Sequence, residues 1–387
     1  MHTSTITGLR LRDEIGMPAE GDPVVARAAR DESYVVHVVR DAHALRSRLT
    51  GLLDGVETVA VITDTTVEAL HGPALLRALR EQEVDVVARA VPAGERTKSL
   101  ATAVQLWNWL AQTGLGRRDV VVTFGGGVIN DLGGWVASAY MRGVPYVNLP
   151  TTLLAMVDGA LGGKVAVNHP VAKNLLGAFQ QPAGVVSDVR HLRTLDRRHL
   201  AAGIAECVKK GVIASPEYFA FIEDHAGALL AGDPAALERL VLAASAIKAR
   251  LIERDPYEKD LRRPLNFGHT VGHPLETVTG YGPLLHGEAV AFGMAVEARV
   301  AAARGWLPES VLDRLLSLLG RCRLPVSADE LPVAVRADAL VAATEKVRLI
   351  RAGSLRWVLP LDLGDTVIAD DVSERELRAA LGACGVK

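Results

Sequence analysis

The chain of 387 residues has almost no cysteine: Cys207, Cys322 and Cys384 are few, odd in number and far apart. That excludes a disulfide framework and a cysteine-built zinc site, and it fits a reducing compartment. Excess charge of either sign is missing as well. A formal net charge of −2 gives no electrostatic reason for a nucleic-acid partner, so any anionic ligand must be held by basic residues gathered locally. No apolar run approaches the roughly 20 residues that span a bilayer. The start, Met1-His2-Thr3-Ser4, lacks a basic segment followed by an apolar one. There is no internal repeat and no low-complexity segment. These absences lead us to expect a cytoplasmic protein with neither membrane nor nucleic acid as partner.

What is present is ordinary globular material, 49% hydrophobic and 23% charged, long enough for two domains at roughly 100 to 200 residues each. The first half alternates strand and helix patterns. Strands are predicted at 34–39, 58–64, 84–91, 119–124 and 146–149, with helices at 66–80, 100–112 and 128–140. Such alternation implies a mostly parallel sheet covered on both faces, with ligands bound beyond the carboxyl ends of the strands. After about residue 192 the pattern becomes helical, at 198–213, 216–230, 234–253 and 287–304, and an apolar run at 355–360 reads as a strand tied back onto the core. The expected organisation is an extension over 1–34, an α/β domain over 35–190 and a mainly helical domain over 191–387.

Histidine is scarce, eleven in the chain, yet His269, His273 and His286 fall within eighteen residues. A spacing of four puts His269 and His273 on one helix face. Either they are a hydrogen-bonded pair, or they belong to a metal site with three protein ligands and an open position. Gly125-Gly126-Gly127 follows a strand and precedes a helix, where glycines let phosphates approach backbone N–H groups and the positive end of the helix. It lacks the GxGxxG spacing of a standard dinucleotide site. Asp64, at a strand end, is either a ribose ligand or a helix N-cap. From Pro150 to Asn174 a glycine-rich, polar run containing Asp158, Lys164, Asn168, Lys173 and Asn174 reads as a loop suited to an anionic, hydroxylated ligand. Glu206 and Lys209, three apart on a helix, can point into one cleft.

Together the runs Gly125-Gly126-Gly127-Val128-Ile129-Asn130-Asp131, Tyr140-Met141-Arg142-Gly143, Pro150-Thr151-Thr152-Leu153-Leu154, Gly162-Gly163-Lys164, Lys173-Asn174, Ala205-Glu206, Lys209 and Leu265-Asn266-Phe267-Gly268-His269-Thr270 resemble the dehydroquinate synthase superfamily, the sugar-phosphate cyclases. The likeness covers about residues 55 to 360. It implies an NAD-binding α/β domain, a helical metal- and substrate-binding domain, and a site between them. Carried over position by position, it implies that Glu206, His269 and His286 hold one zinc or cobalt ion, while His273 touches the substrate phosphate. NAD would meet Asp64, Glu95, Lys98, Gly126, Gly127, Asp131, Thr151, Thr152 and Lys173. Lys164, Lys209, His273, Asp158 and Asn266 would be catalytic. Asn174, Lys248 and Arg262 would bind substrate, with Arg142 reaching in from the second subunit of a homodimer.

The chemistry so implied is transient oxidation of a ring hydroxyl by NAD, elimination of phosphate, re-reduction, ring opening and an intramolecular aldol. Two substrates compete. Lys248 and Arg262 stand where a 3-dehydroquinate synthase binds its substrate carboxylate. Against that, the extension, the run Thr194-Leu195-Asp196-Arg197-Arg198-His199-Leu200, Asp158-Gly159-Ala160, Pro274 and Leu359-Pro360-Leu361 are more similar to cyclases that use sedoheptulose 7-phosphate to make valiolone-type cyclitols. Gly272-His273 replaces the Ser-Pro usual in 2-epi-5-epi-valiolone producers, which points to another stereochemistry such as 2-epi-valiolone. The preferred expectation is a sedoheptulose 7-phosphate cyclase. The alternatives are 3-dehydroquinate synthase and, further off, a metal-dependent polyol dehydrogenase or a non-catalytic sugar-phosphate binder.

Overall fold

In the computed structural model, which describes residues 32–257, 263–280, 282–350 and 355–387, the first half of the chain builds a parallel sheet. Its elements run β1 Val35–Val39, α1 Ala42–Leu52, β2 Thr58–Asp64, α2 Thr65–Arg80, β3 Asp85–Val91, α3 Leu100–Gln112, β4 Val120–Gly125, α4 Gly127–Ala139, β5 Tyr146–Pro150, β6 Lys164–His169, β7 Ala172–Phe179 and β8 Gly184–Asp188. Six strands pair in the order β1-β8-β5-β4-β2-β3, every pair parallel. Every residue of β4 and β5 is buried, which explains their unbroken apolar runs: helices cover both faces. Leu45, Leu49, Leu75 and Leu79 of α1 and α2 pack on one face, and Leu106, Leu110, Leu132 and Val136 of α3 and α4 on the other. The direction of winding reverses between β2 and β4. Asp64 and Gly125, the last residues of those strands, therefore flank the crevice where doubly wound sheets bind ligands.

The polar stretch after β5 is not the loop expected. It forms a π-helical turn, Ala155–Gly159, and then an antiparallel hairpin of β6 and β7 that stands outside the six-stranded sheet. Strand β7 is largely exposed on both faces, so it lacks the alternation that marks a half-buried strand.

The second half continues with α5 Arg197–Ala214, α6 Pro216–Ala231, α7 Pro234–Arg254, α8 His269–Val278, α9 His286–Ala303, α10 Glu309–Arg321, α11 Ala337–Ile350, β9 Trp357–Asp362, β10 Asp365–Ala369 and α12 Glu374–Ala383. Local chemistry sets the helix starts. Ser215 and Asp233 cap α6 and α7 through the amides of Tyr218 and Ala236, each followed by proline in the first turn. The apolar run near 357 is a buried strand, as expected, paired with β10 in a two-stranded ribbon. Helix α9 is the axis of this half, buried along nearly its whole length.

Two glycines let neighbouring backbones touch α9. A Cβ on Gly287 would lie 1.9 Å from the Ala202 carbonyl oxygen of α5, and one on Gly293 would lie 1.9 Å from the Gly268 carbonyl oxygen at the start of α8. No other residue fits at either place. Tyr34–Lys387 forms one compact unit. Among the described residues no helix is long and apolar enough to cross a membrane.

Candidate active site

Helix α5 carries Glu206 and Lys209 one turn apart, both buried, with the Lys209 ammonium paired to Glu206 Oε2. Among the described residues neither Glu206 oxygen has a hydrogen-bond donor, and Oε1 also lacks the ammonium that pairs with Oε2. A buried carboxylate oxygen without a partner is costly unless a cation satisfies it. Two imidazoles face this oxygen, His269 Nε2 at 3.7 Å and His286 Nε2 at 3.8 Å. Both present Nε2 because Nδ1 is occupied. His269 Nδ1 donates to the Phe267 carbonyl at 3.2 Å, and His286 Nδ1 donates to Glu276 Oε2 at 3.2 Å. A tetrahedral ion about 2.1 Å from each donor leaves the donors roughly 3.4 Å apart, close to the 3.7 and 3.8 Å between Glu206 Oε1 and the two imidazoles.

The protonation state of His269 suits that use, whereas His286 must give up a proton to bind a metal. Burial, reinforced by Lys209, holds His269 well below the ordinary imidazole range, so its ring is neutral. Burial also acts to lower His286, but the hydrogen bond and charge of Glu276, with Glu206 behind, raise it above its ordinary value. Glu276 itself is pushed up by burial and pulled lower still by His286. The third histidine, His273, lies one turn along α8, its ring 4.9 Å from that of His269 and 5.9 Å from that of His286. Donor atoms of the three histidines lie within 4.8 Å of one another. His273 is the exposed member of the group. His273 would stand beside an ion held by Glu206, His269 and His286.

Across the crevice, α4 begins at Gly126, an N-cap without a side-chain cap, and a Cβ on Gly127 would meet nothing within 4 Å. Free N–H groups at the positive end of a 13-residue helix thus look onto open space, the cradle an anionic pyrophosphate needs. Thr152 closes one side: its Cγ2 sits 3.1 Å from where a Gly126 Cβ would be. Thr151 donates its amide to the Gly125 carbonyl at 2.9 Å. Asp64 Oδ1 caps α2 through the amides of Thr66 and Val67. Behind the helix, Asn130 ties α4 to the sheet through Thr123, which bonds Asn148 in turn.

A polar network ties the start of α3 to α4 and the β6–β7 hairpin. Buried Lys98 donates to Asp131 and Asn174, Asn168 donates to Glu95 at 2.7 Å, and the Asn174 amide donates to Asn168 at 3.0 Å. Burial raises Asp131 against the pull of Lys98. Gly159 packs on Gly127, and its neighbour Asp158 meets Lys248 of α7, which donates to the Asp158 carbonyl at 2.6 Å and to Oδ1 at 2.8 Å. Lys173, exposed on the hairpin, acts electrostatically on Glu276. Lys164, the first residue of β6, is exposed beside the same hairpin. Asn266 ends a short turn just before Phe267, within reach of the histidine helix.

The structure therefore gathers Lys98, Asp131 and Asn174 in one network, Asp158 and Lys248 in a second, and Glu206, Lys209, His269, His273 and His286 in a third. Arg142 stands apart, exposed, with a left-handed backbone (φ 70°), and among the described residues it makes no hydrogen bond or ion pair. Arg262 lies outside the described residues. Three participants escaped sequence reasoning. Glu276 follows His269 and His273 at the i, i+4, i+7 spacing of a single helix face, a signal that was there to find. Glu297 is a lone acid in an alanine-rich stretch; it accepts the amides of Gly268 at 2.8 Å and Val271 at 3.2 Å and so caps α8 from outside, while burial pushes its carboxyl up to about 8. Lys210 follows Lys209 and is fully buried.

The chain matches the family description of the 3-dehydroquinate synthase N-terminal domain over residues 88–202 and of the C-terminal domain over residues 203–346. It is 55% identical over 374 residues to the 2-epi-valiolone synthase of Actinosynnema mirum, covering 97% of this chain and 98% of that one. It is 45% identical over 324 residues to the 3-dehydroquinate synthase of Symbiobacterium thermophilum, covering 84% and 89%. Among solved structures it is similar to ValA, the 2-epi-5-epi-valiolone synthase of Streptomyces hygroscopicus subsp. jinggangensis with NAD+ and Zn2+ bound. That match has a TM-score of 0.84 and 32% identity, and covers 94% of this chain and 99% of that one.

Proposed function

We propose, given that the chain belongs to the 3-dehydroquinate synthase family, that it is a cyclase converting sedoheptulose 7-phosphate to a valiolone-type C7-cyclitol with loss of phosphate. The single observation that carries the reaction class is the unsatisfied Glu206 oxygen facing two Nε2 atoms, across a crevice from a bare helix N-terminus. When bound, NAD supplies reversible removal and return of a hydride at one ring hydroxyl, and a divalent zinc or cobalt ion supplies Lewis acidity at that oxygen.

On this reading the chain's own groups divide as follows. Glu206, His269 and His286 hold the ion, and Lys209 occupies Oε2 so that Oε1 is the donor. The start of α4, with Thr151, Thr152, Asp64 and the Glu95, Lys98 and Asp131 network, holds the dinucleotide, and Lys173 assists it. Asp158, Asn174 and Asn266 accept or donate to substrate hydroxyls. Lys164 and His273, with Arg142 of a second copy in a homodimer, hold the phosphate until it departs with the proton of the adjacent acidified carbon. Ring opening and aldol closure then need only a site that excludes water and restrains the chain. Three buried free thiols suit the reducing cytoplasm.

The substrate reading rests on Lys248. In a carboxylate-binding site this ammonium would be aimed at the ligand; here it is bound to both the carbonyl and Oδ1 of Asp158. A hydroxymethyl group asks for no such charge. The strong likeness to 2-epi-valiolone synthase supports the same choice. The test gives purified protein NAD and zinc or cobalt, offers sedoheptulose 7-phosphate and the carboxylated heptulosonate phosphate separately, and measures phosphate release and product structure. Preferential turnover of the heptulosonate would make this a 3-dehydroquinate synthase, the reading that the 45% relative favours. Net accumulation of NADH without phosphate would indicate a polyol dehydrogenase.

A further inference from the structure

We propose that Lys210 is a positioning residue for the cyclisation: from beneath the site it fixes Asp158 Oδ1, so that Oδ2 is the oxygen offered to a substrate hydroxyl. The proposal rests on the cyclase reading above. Lys210 is 0% exposed, so it touches no substrate. Among the described residues its ammonium has no hydrogen-bond partner, and the acid paired with it is Asp158, with Oδ1 at 3.5 Å. A buried ammonium so weakly held opposes folding unless it does something else.

What it does follows from the arrangement around Asp158. Lys248 Nζ reaches the same oxygen, Oδ1, at 2.8 Å, and Lys209 adds its charge from one residue before on α5. Two buried ammonium groups therefore converge on one oxygen of a carboxylate whose side chain is 32% exposed. Both contacts are made to Oδ1 and not to Oδ2. Burial alone would raise the Asp158 carboxyl, but Lys248, Lys210 and Lys209 outweigh it and hold it well below the usual carboxylate range. Asp158 also sits on the π-helical turn next to Gly159, which packs on Gly127, so displacing it would disturb the face between sugar and dinucleotide. Lysine at 210 thus acts through Asp158 and not on the reacting atoms.

The experiment is a double-mutant cycle of Lys210→Met and Asp158→Asn, run on whichever of the two sugar phosphates the wild-type enzyme turns over. Lys210→Met should lower kcat/KM about tenfold, mostly as a rise in KM for the sugar phosphate. Bound metal and NAD affinity should stay at wild-type levels. In the Asp158→Asn background the same change should have almost no effect, because the group it positions is gone. Lys210→Gln, which keeps a polar donor on that side without the charge, should recover part of the loss and serves as the test should methionine prevent folding. Equal losses in both backgrounds, or a fall in melting temperature with unchanged kcat and KM, would overturn the proposal. Wild-type preference for the heptulosonate would instead overturn the substrate reading, leaving the cycle to be judged on that substrate.

Discussion

Replacing Glu276 should loosen the metal while leaving the fold in place. Its Oε2 accepts from His286 Nδ1 at 3.2 Å, and its side chain is only 12% exposed, so this carboxylate fixes both the tautomer and the orientation of the ring. Outer partners of this kind are worth about 10- to 100-fold in metal affinity, or about 1.4 to 2.8 kcal/mol. Glutamine retains an acceptor and loses the charge, and should weaken binding about tenfold; leucine loses both and frees the ring to rotate, and should approach a hundredfold. The assay is titration of the metal-free protein with zinc against a chromophoric chelator, with melting temperature followed in parallel. The visible spectrum of the cobalt-loaded protein reports whether a histidine has left the ion. Wild-type zinc affinity in Glu276→Leu would mean that His286 is not a ligand, and the assigned triad would fall with it.

Four further outcomes are expected. Glu206→Gln or His269→Ala should abolish phosphate release in protein that remains folded, since two ligands hold an ion poorly; normal turnover with normal metal content would contradict this. Trace NAD should support many turnovers with no growth of absorbance near about 340 nm, because the hydride returns to the same substrate; a stoichiometric rise would refute it. Glu297 has a carboxyl raised to about 8 from 4.5, so the folded state binds its proton more tightly than the unfolded chain does. Its contribution to stability should be full below about 4.5 and be lost as pH rises through about 8. Denaturant midpoints of Glu297→Gln should lack that decline, and a decline equal to the wild type's would count against it. Gly293→Ala places a Cβ 1.9 Å from the Gly268 oxygen and should cost about 3 kcal/mol or more, together with loss of bound metal; a variant as stable as wild type in urea would refute the close contact.

Much of this architecture could be read from the residues. The helix predicted at 100–112 is α3, Leu100–Gln112, and the patterns at 198–213 and 234–253 became α5, Arg197–Ala214, and α7, Pro234–Arg254. These segments carry helix periodicity and strong caps. The β6–β7 hairpin stayed hidden because β7 buries neither face, so its sequence shows no period. The candidate site was legible where a residue type is rare, as histidine is here, or where a run is unusual, as three consecutive glycines are. It was opaque where a common residue gains meaning only from its neighbours. Nothing in the sequence says that Glu297 of α9 caps α8, or that Lys248 is already held by Asp158; both depend on which helices meet, and tertiary contact alone decides that.

The backbone contacts at Gly287 and Gly293 bear on how the ion arrives. Each glycine lies within seven residues of His286, and the carbonyls they abut belong to Ala202 and Gly268, one turn from Glu206 and one residue from His269. With no side chain between them, the three segments have no slack to open or collapse as occupancy changes. A zinc finger folds around its ion and unravels without it. This seat is cast beforehand, so chelation should leave an intact but idle protein, ready to be refilled. If Glu206, His269 and His286 are the ligands, which ion they take depends on supply and on the preference of two nitrogens and an oxygen, and exchanging one ion for another should retune the chemistry without rebuilding the chain.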